Sequence, residues 1–199
     1  MRVLENNTMA PNLYKGERFV FSSYNLYSII PALKIDSDSA PFGRGNIVLV
    51  DMSRTENPGI FYRLLDGVVR FFTAQKLSLE DQKEQLFVKR VIGLPGDEIT
   101  MTNFVIRIKA RGSAYSLTEF EVSEQDYTLE IPQMPALWDS SLPFSGNMDI
   151  IVLGANECFV LSDDRSNTND SRTWGPVPIE KISGKALFRY WPLTRIGRP

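Results

Sequence analysis

The sequence predicts a mostly β fold with a helical insertion and a small inserted β-lobe, on the basis of three observations. Short apolar runs rich in β-branched and aromatic residues recur along the 199 residues. Glycine, proline and polar clusters separate these runs, as is typical of turns. One segment, residues 58–85, instead spaces its apolar residues as a helix does.

Two strands are predicted in the first fifty residues. A turn centred on Gly16 leads into the apolar residues 19–21, which predict the first strand. Residues 31–45 contain several glycines and prolines and predict a loop. Residues 45–50 are almost wholly apolar and rich in β-branched side chains, which indicates a strand buried on both faces of a sheet.

Residues 58–85 predict helical structure with one apolar side. The residues close to i, i+3, i+4, i+7 spacing are Phe61, Leu64, Leu65, Val68, Val69 and Phe72. Gly67 weakens such a helix by about 1 kcal/mol relative to alanine. The helix either packs on the β-body or rests its apolar side on a membrane surface, and the sequence leaves both interpretations open.

The second half of the chain returns to strands. Residues 87–93 predict a strand that ends in the Leu-Pro-Gly-Asp turn at 94–97. Two further strands are predicted at 158–161 and 184–190, with a polar loop at 162–174 between them.

The domain organisation is predicted from a segment in which loops and prolines interrupt the strands. Between residues 103 and 151, short alternating segments are separated by polar loops and prolines, which predicts a smaller inserted β-lobe. The main β-domain then comprises residues 1–102 and 152–199, with the helical insertion at about 58–85.

The composition excludes several classes of chemistry. The chain contains no histidine, so Ser-His-Asp and Cys-His mechanisms and His-ligated zinc sites are excluded. The lone cysteine, Cys158, has no partner for a disulfide and is predicted to be a buried thiol. A net charge of −2 gives no general attraction to nucleic acid. We therefore expect no metal, no cofactor and no nucleic-acid partner.

One lysine lies inside the apolar strand predicted at 87–93. Because strand residues alternate between faces, Lys89 shares its face with Phe87 and Val91, while Arg90 points the other way. Burial on an apolar face lowers the pKa of a lysine, and a neutral amine can take a proton from a hydroxyl. The alternative interpretation is a lysine that reaches solvent from a sheet edge.

Residues 162–175 are richer in hydroxyls, carboxylates and guanidinium groups than a simple turn requires. Within them, Asp170 and Arg172 are able to pair and to hold a neighbouring hydroxyl in place. An ordinary solvated loop and a loose calcium-binding loop are the alternatives. The segment lacks the glycine at position 6 and the glutamate at position 12 of an EF-hand loop.

These segments together resemble the bacterial type I signal peptidase family. Its base box, Lys-Arg-x-x-Gly-Leu-Pro-Gly-Asp, is matched in full by residues 89–97. Its third box is matched at Asp163, Arg165, Asp170, Ser171, Arg172 and Gly175. A weaker signature, Arg-Gly-Asp-Ile-Val, appears at 44–48 with asparagine in place of the aspartate. The family's nucleophile box, Ser-Met-x-Pro-Thr-Leu, reads Thr-Met-Ala-Pro-Asn-Leu at residues 8–13.

The resemblance implies a twisted, partly barrel-like β-sheet body as the catalytic domain. It also implies an endopeptidase that cleaves the signal peptides of secreted preproteins after small residues, typically Ala-x-Ala, through an acyl-enzyme. Lys89 would be the general base, and Thr8 stands in the place of the nucleophilic serine. The implied partners are signal peptides and the membrane surface.

The resemblance further implies a set of supporting residues around the base. Thr168 takes the place of the serine that hydrogen-bonds the lysine nitrogen. Asp170 and Arg172 would form a supporting ion pair, and Asp163 would pair with Arg90.

Substrate contacts are implied in the same way. Asn6 stands two positions before Thr8, and we expect its side-chain amide and the Thr8 N–H to form the oxyanion hole. The residues expected to line shallow pockets for the small substrate side chains are Met9, Leu13, Phe87 and Val88.

Two departures from the family signatures leave the activity open. The extra methyl group of Thr8 restricts χ1 and crowds the attack, so Thr8 is a working nucleophile, a sign of weakened or lost activity, or an engineered change. Ser162 stands where the third box has glycine. Both departures favour the alternative of a non-catalytic protein that binds signal peptides or acts as a scaffold. A self-cleaving repressor ranks last, because no helix-turn-helix precedes the nucleophile box.

The expected location is the cell membrane, with the catalytic domain on its outer, periplasmic or extracytoplasmic, face. No stretch reaches the ~18 apolar residues that span a bilayer, and residues 1–10 lack the apolar core of a signal peptide. Family members carry a membrane-spanning helix just before the nucleophile. Either an N-terminal anchor has been removed from this chain or its start is given too late, and we expect the first.

Overall fold

Strands dominate the part of the chain that the computed structural model describes, which is residues 2–23, 42–53, 85–133 and 146–199. The helical prediction for 58–85 lies outside these residues except for Gln85. Within them, no helix is long and apolar enough to cross a membrane.

The larger sheet contains seven of the described strands. They are β1 (Arg2–Val3), β2 (Arg18–Ser23), β3 (Ile47–Asp51), β4 (Leu86–Gly93), β9 (Glu157–Leu161), β10 (Val177–Pro178) and β11 (Ile182–Trp191). Their order across the sheet is β1-β2-β11-β3-β4-β9-β10. The last strand of the chain therefore lies between two strands from its first quarter.

A second antiparallel sheet has four strands. They are β5 (Glu98–Thr102), β6 (Val105–Lys109), β7 (Leu117–Thr118) and β8 (Met148–Val152), in the order β7-β6-β5-β8. The described helical elements are short: the helix α1 (Ser171–Trp174) and the 3-10 turns Ile179–Lys181 and Leu193–Arg195. The mostly β prediction is thus confirmed.

The apolar runs in the sequence account for the strands and for two hydrophobic clusters found among the described residues. The first four residues of β3 are buried, which confirms the strand predicted to be covered on both faces. One cluster contains Leu4, Met9, Leu13, Phe19, Ile47 and Ala186. The other contains Ile92, Ile99, Met101, Ile106, Ile108, Tyr127, Leu153, Phe159 and Leu161.

The chain divides into two compact units according to its internal contacts. One comprises Met1–Val50 together with Val88–Pro199, and the other comprises Asp51–Phe87. The four-stranded sheet belongs to the first unit and runs from residue 98 to residue 152, so β5 precedes the boundary predicted at residue 103. The description of residues 103–151 as a lobe of their own stays a prediction.

The pairing of β4 with β9 brings two distant polar segments together. Arg90 lies opposite Leu161 in this antiparallel pair, and Val91 lies opposite Val160. The residues that follow β9 therefore emerge beside Lys89 and Arg90, although more than seventy residues separate them along the chain. This register builds the site.

Candidate active site

Lys89 is buried in β4, with 1% of its side chain exposed. Its Nζ donates a hydrogen bond of 2.7 Å to Ser162 Oγ and lies 5.7 Å from the centre of the Trp174 ring. Burial lowers the pKa of Lys89 from its ordinary 10.5 to about 8, against the raising influence of the Asp170 carboxylate. A substantial fraction of this amine is therefore neutral near pH 8.

Ser162 is the first residue after β9, and its side chain is wholly buried. Its backbone N–H donates to Asp170 Oδ2 at 3.0 Å, and its hydroxyl donates to Asn167 Oδ1 at 3.5 Å. Backbone and side chain are thus both held by the loop that follows.

Asp170 organises this loop as the N-cap of α1. The guanidinium of Arg172 donates to both carboxylate oxygens, at 2.9 Å to Oδ1 and 2.8 Å to Oδ2. Burial alone would raise the pKa of Asp170, but the bonds from Arg172 and from the Ser162 N–H hold it below its usual value. The carboxylate is therefore anionic and carries a permanent negative charge close to Lys89.

Arg90 points to the opposite face of β4 and is buried as deeply as its neighbour. It donates to both oxygens of Asp163, at 2.7 and 2.6 Å, and to the Gly45 carbonyl at 2.6 Å. The guanidinium also lies 4.1 Å from the centre of the Tyr127 ring. A bidentate ion pair and a cation–π contact fix this side chain.

The segment containing Thr8 is attached to the same polar loop at two points. The Thr8 carbonyl accepts a hydrogen bond of 3.1 Å from the Asp164 N–H. Four residues later, Asn12 Nδ2 donates to Asp163 Oδ2 at 2.8 Å and to the Thr128 carbonyl at 2.7 Å. The loop after β9 therefore contacts both the segment of the candidate nucleophile and the candidate base.

Comparison with known proteins confirms the family that the sequence signatures resemble. The sequence profile described as signal peptidase, peptidase S26, matches residues 1–191. The chain belongs to the signal peptidase family, peptidase S26.

Among similar proteins, the probable signal peptidase I-1 of Synechocystis sp. is 32% identical over 114 residues, which is 57% of this chain and 47% of that protein. The signal peptidase I of Bacillus caldolyticus is 29% identical over 185 residues, 90% of this chain and 84% of that protein. Thylakoidal processing peptidase 1 of Arabidopsis thaliana is 31% identical over 112 residues, 56% of this chain and 26% of that protein. The chain spans about half the length of the Synechocystis relatives.

The structure brings together most of the residues that the signal peptidase signatures point to. Lys89, Asp170 and Arg172 lie around one loop, and Arg90 pairs with Asp163 behind them. Thr168 is half-buried, and its carbonyl accepts from the Asp170 N–H and the Thr173 hydroxyl. The described hydrogen bond of Lys89 is made with Ser162 rather than with Thr168.

Asn6 presents its amide oxygen to Thr8. Its Oδ1 accepts from Thr8 Oγ1 at 2.8 Å and from the Thr8 N–H at 3.3 Å. An oxyanion hole built from the Asn6 amide and the Thr8 N–H requires the amide to turn about χ2, so that Nδ2 replaces Oδ1. The predicted role of Asn6 remains a prediction.

The four residues expected to line substrate pockets differ in exposure. Met9 and Leu13 are at most 1% exposed and pack in the core, with Val88 against the same cluster. Phe87 is half-buried in the first half of β4. The pocket-lining role of all four remains a prediction.

Sequence reasoning missed three contributors to the site. The sequence shows Ser162 only as a departure from the glycine of the family box. Asn12 likewise replaces the threonine of its box. The third contributor is the buried Glu119 carboxylate, which accepts from Arg165 and, at 2.6 Å, from the Tyr127 hydroxyl. Burial beside Glu119 raises the pKa of Tyr127 far above its usual value.

Among the described residues, no group of three or more cysteine, aspartate or glutamate side chains is arranged to hold a metal ion. The expectation of a reaction without metal or cofactor remains a prediction from the sequence.

Proposed function

We propose that this chain is an endopeptidase that cleaves signal peptides after small residues, with Thr8 as nucleophile and Lys89 as general base. One observation carries the proposal: Lys89 is 1% exposed, its amine has a pKa of about 8, and that amine contacts the loop that also contacts the Thr8 backbone. A base with a pKa near the working pH is what general-base catalysis requires.

The reaction begins when the neutral amine of Lys89 accepts the proton of the Thr8 hydroxyl as Oγ1 attacks the scissile carbonyl carbon. The resulting ammonium group then donates that proton to the leaving amine nitrogen as the peptide C–N bond breaks, which leaves an ester on Thr8. A water molecule next loses a proton to Lys89 and attacks the ester carbonyl. The ammonium group returns the proton to Thr8 Oγ1 as the acyl group leaves.

Asp170 suits this proton cycle because its charge opposes the effect of burial. Desolvation disfavours the ammonium form of Lys89, while the carboxylate, itself fixed by Arg172, favours it. The two influences leave a pKa at which the amine can both accept and donate a proton. A more strongly lowered pKa would make the same amine a poorer base.

The proposed substrates are the signal peptides of secreted preproteins, with Ala-x-Ala before the scissile bond. Such substrates meet the enzyme at a bilayer, so we place the catalytic domain at the outer face of the cell membrane. Signal peptides and the membrane surface are then its partners.

The test is cleavage of a signal-peptide substrate carrying an Ala-x-Ala site, with mass spectrometry to locate the cut. Lys89→Met is expected to lower kcat/KM by at least about 10³-fold, because no other group replaces the base. Lys109→Met is the matched control, since Lys109 is a half-exposed strand lysine paired with Glu98. Unchanged cleavage by Lys89→Met would remove the proposed base from the mechanism.

A second candidate is a non-catalytic homologue that binds signal peptides. The observation in its favour is that Thr8 Oγ1 donates its proton to Asn6 Oδ1. Thr8→Ser separates the two candidates, because serine lacks the methyl group that restricts rotation of the hydroxyl. If the unaltered chain binds the peptide without cutting it and the serine variant cuts it, the second candidate is correct.

A further inference from the structure

We infer that Ser162 supplies the hydroxyl that holds the Lys89 amine in position for proton transfer. This is the role that the family signature assigns to residue 168. The inference rests on the proposed function, since it concerns how the same base is oriented. Ser162 acts through Lys89 and is therefore a positioning residue.

The first argument is the contact itself. Lys89 Nζ and Ser162 Oγ are 2.7 Å apart, and each side chain is at most 1% exposed. A hydrogen bond between buried groups is not exchanged for bonds to water, so it constrains the amine more than an exposed contact would. Thr168, six residues further on, is only half-buried.

The second argument is the direction of the hydrogen bonds. Ser162 has one hydroxyl proton, which it donates to Asn167 Oδ1. Its oxygen lone pairs are therefore available to accept from Lys89. When the neutral amine donates one N–H to Ser162, rotation about its Cε–Nζ bond is restricted. The amine lone pair then points away from Ser162, which is the orientation needed to accept a proton from another hydroxyl.

The third argument is that the fold fixes Ser162 without strain. Its backbone N–H is bound by Asp170 Oδ2, the carboxylate held by Arg172. The described non-glycine residues with positive φ are Asn103 and Phe104, so the backbone at position 162 does not require the glycine of the family box. The complete burial of Ser162 also excludes direct attack of its hydroxyl on a peptide substrate in this arrangement.

The experiment measures the pKa of Lys89 and the pH profile of cleavage in Ser162→Ala and Thr168→Ala. The Lys89 signal is followed by NMR in chain labelled with ¹³C at the lysine ε-carbon, and Lys89→Arg assigns it. In Ser162→Ala the ammonium form loses a charge-assisted acceptor, so the pKa of Lys89 falls below its value in the unaltered chain. We expect kcat/KM to fall about tenfold in Ser162→Ala, and the pKa of Lys89 to stay unchanged in Thr168→Ala.

The inference is overturned if Ser162→Ala leaves the Lys89 titration unchanged, or if Thr168→Ala shifts it as much. Ser162→Gly, which installs the residue of the family box, provides the same test should the alanine variant fail to fold. The NMR titration needs no cleavage of a substrate. It therefore tests the role of Ser162 independently of the proposed function. A chain that cuts no signal peptide but titrates as expected loses the proposed function and keeps the contact inferred for Ser162.

Discussion

The two faces of β4 each carry a buried basic side chain, but the two side chains have different kinds of partner. Lys89 and Arg90 are neighbours, and each is at most 2% exposed. Lys89 meets a neutral hydroxyl and an indole ring, and its negative partner, Asp170, acts through space. Arg90 meets the Asp163 carboxylate directly through two hydrogen bonds.

The difference shows how one strand combines a structural charge with a reactive one. A guanidinium remains protonated in proteins, so a direct carboxylate partner balances its charge permanently. An amine that must lose its proton is better served by neutral partners, because a directly bound carboxylate would stabilise the ammonium form. The free energy of unfolding should therefore depend mainly on Arg90, and the rate of cleavage on Lys89.

The largest expected effect on stability is that of Arg90→Met. Removal of the guanidinium leaves Asp163 buried without its cation, which typically costs about 3 to 5 kcal/mol. Urea denaturation measures the loss, and the exposed strand residue Arg107 gives the control Arg107→Met, expected to change stability by less than about 0.5 kcal/mol. Replacement of both partners, in Arg90→Met with Asp163→Leu, should recover part of the loss. A cost below about 1 kcal/mol for the single variant would contradict the structural role.

Lys89→Met is expected to act in the opposite direction on stability. The pKa of Lys89 is about 8 in the folded chain and 10.5 as its ordinary value, so the unfolded chain binds more protons between these pH values. The unfolding free energy of the unaltered chain should rise from about pH 8 to about pH 10.5. The methionine variant should lack this rise and be more stable by about 3 kcal/mol at pH 7. Urea denaturation at several pH values measures the unfolding free energy of both chains. If the two free energies change with pH in parallel between pH 8 and pH 10.5, Lys89 is not desolvated.

The pH profile of cleavage tests whether Lys89 is the base in the reaction. Because the reactive amine must be neutral, kcat/KM should rise about tenfold from pH 6 to pH 7 and level off above a pKa of about 8. Thr8→Ser should show the same profile, since the change leaves Lys89 untouched. A profile that is flat between pH 6 and pH 9 would exclude Lys89 as the titrating base.

The elements of this comparison that are local in sequence could be predicted from it. Alternation along the strand places Lys89 and Arg90 on opposite faces, and the apolar flanks predict a buried amine. Asp170 and Arg172 are two residues apart, so their pairing required no knowledge of the fold. The strand at residues 45–50 followed from its composition alone.

The elements that depend on long-range register could not be predicted in this way. Ser162 and Lys89 are 73 residues apart, and their contact follows from the pairing of Arg90 with Leu161 across two strands. Whether residue 162 or residue 168 reaches the amine depends on how the loop folds around Asp170. The pair of Glu119 and Arg165, 46 residues apart, has the same origin.

The smallest expected effect concerns Asn12, which links the segment of Thr8 to the face of Arg90. Asn12→Ala removes two donated hydrogen bonds, to Asp163 and to the Thr128 carbonyl, and should cost about 1 kcal/mol of stability. Because Asn12 follows Thr8 by four residues, its loss should also move the nucleophile and lower kcat with little change in KM.

The matched control is Asn156→Ala, at an exposed asparagine in the turn between β8 and β9. Urea denaturation and steady-state kinetics on both variants give the comparison. If the two alanine variants behave alike, Asn12 only fills space. If only Asn12→Ala lowers kcat, then the hydrogen bond from Asn12 to Asp163, the partner of Arg90, also helps to position Thr8 for Lys89.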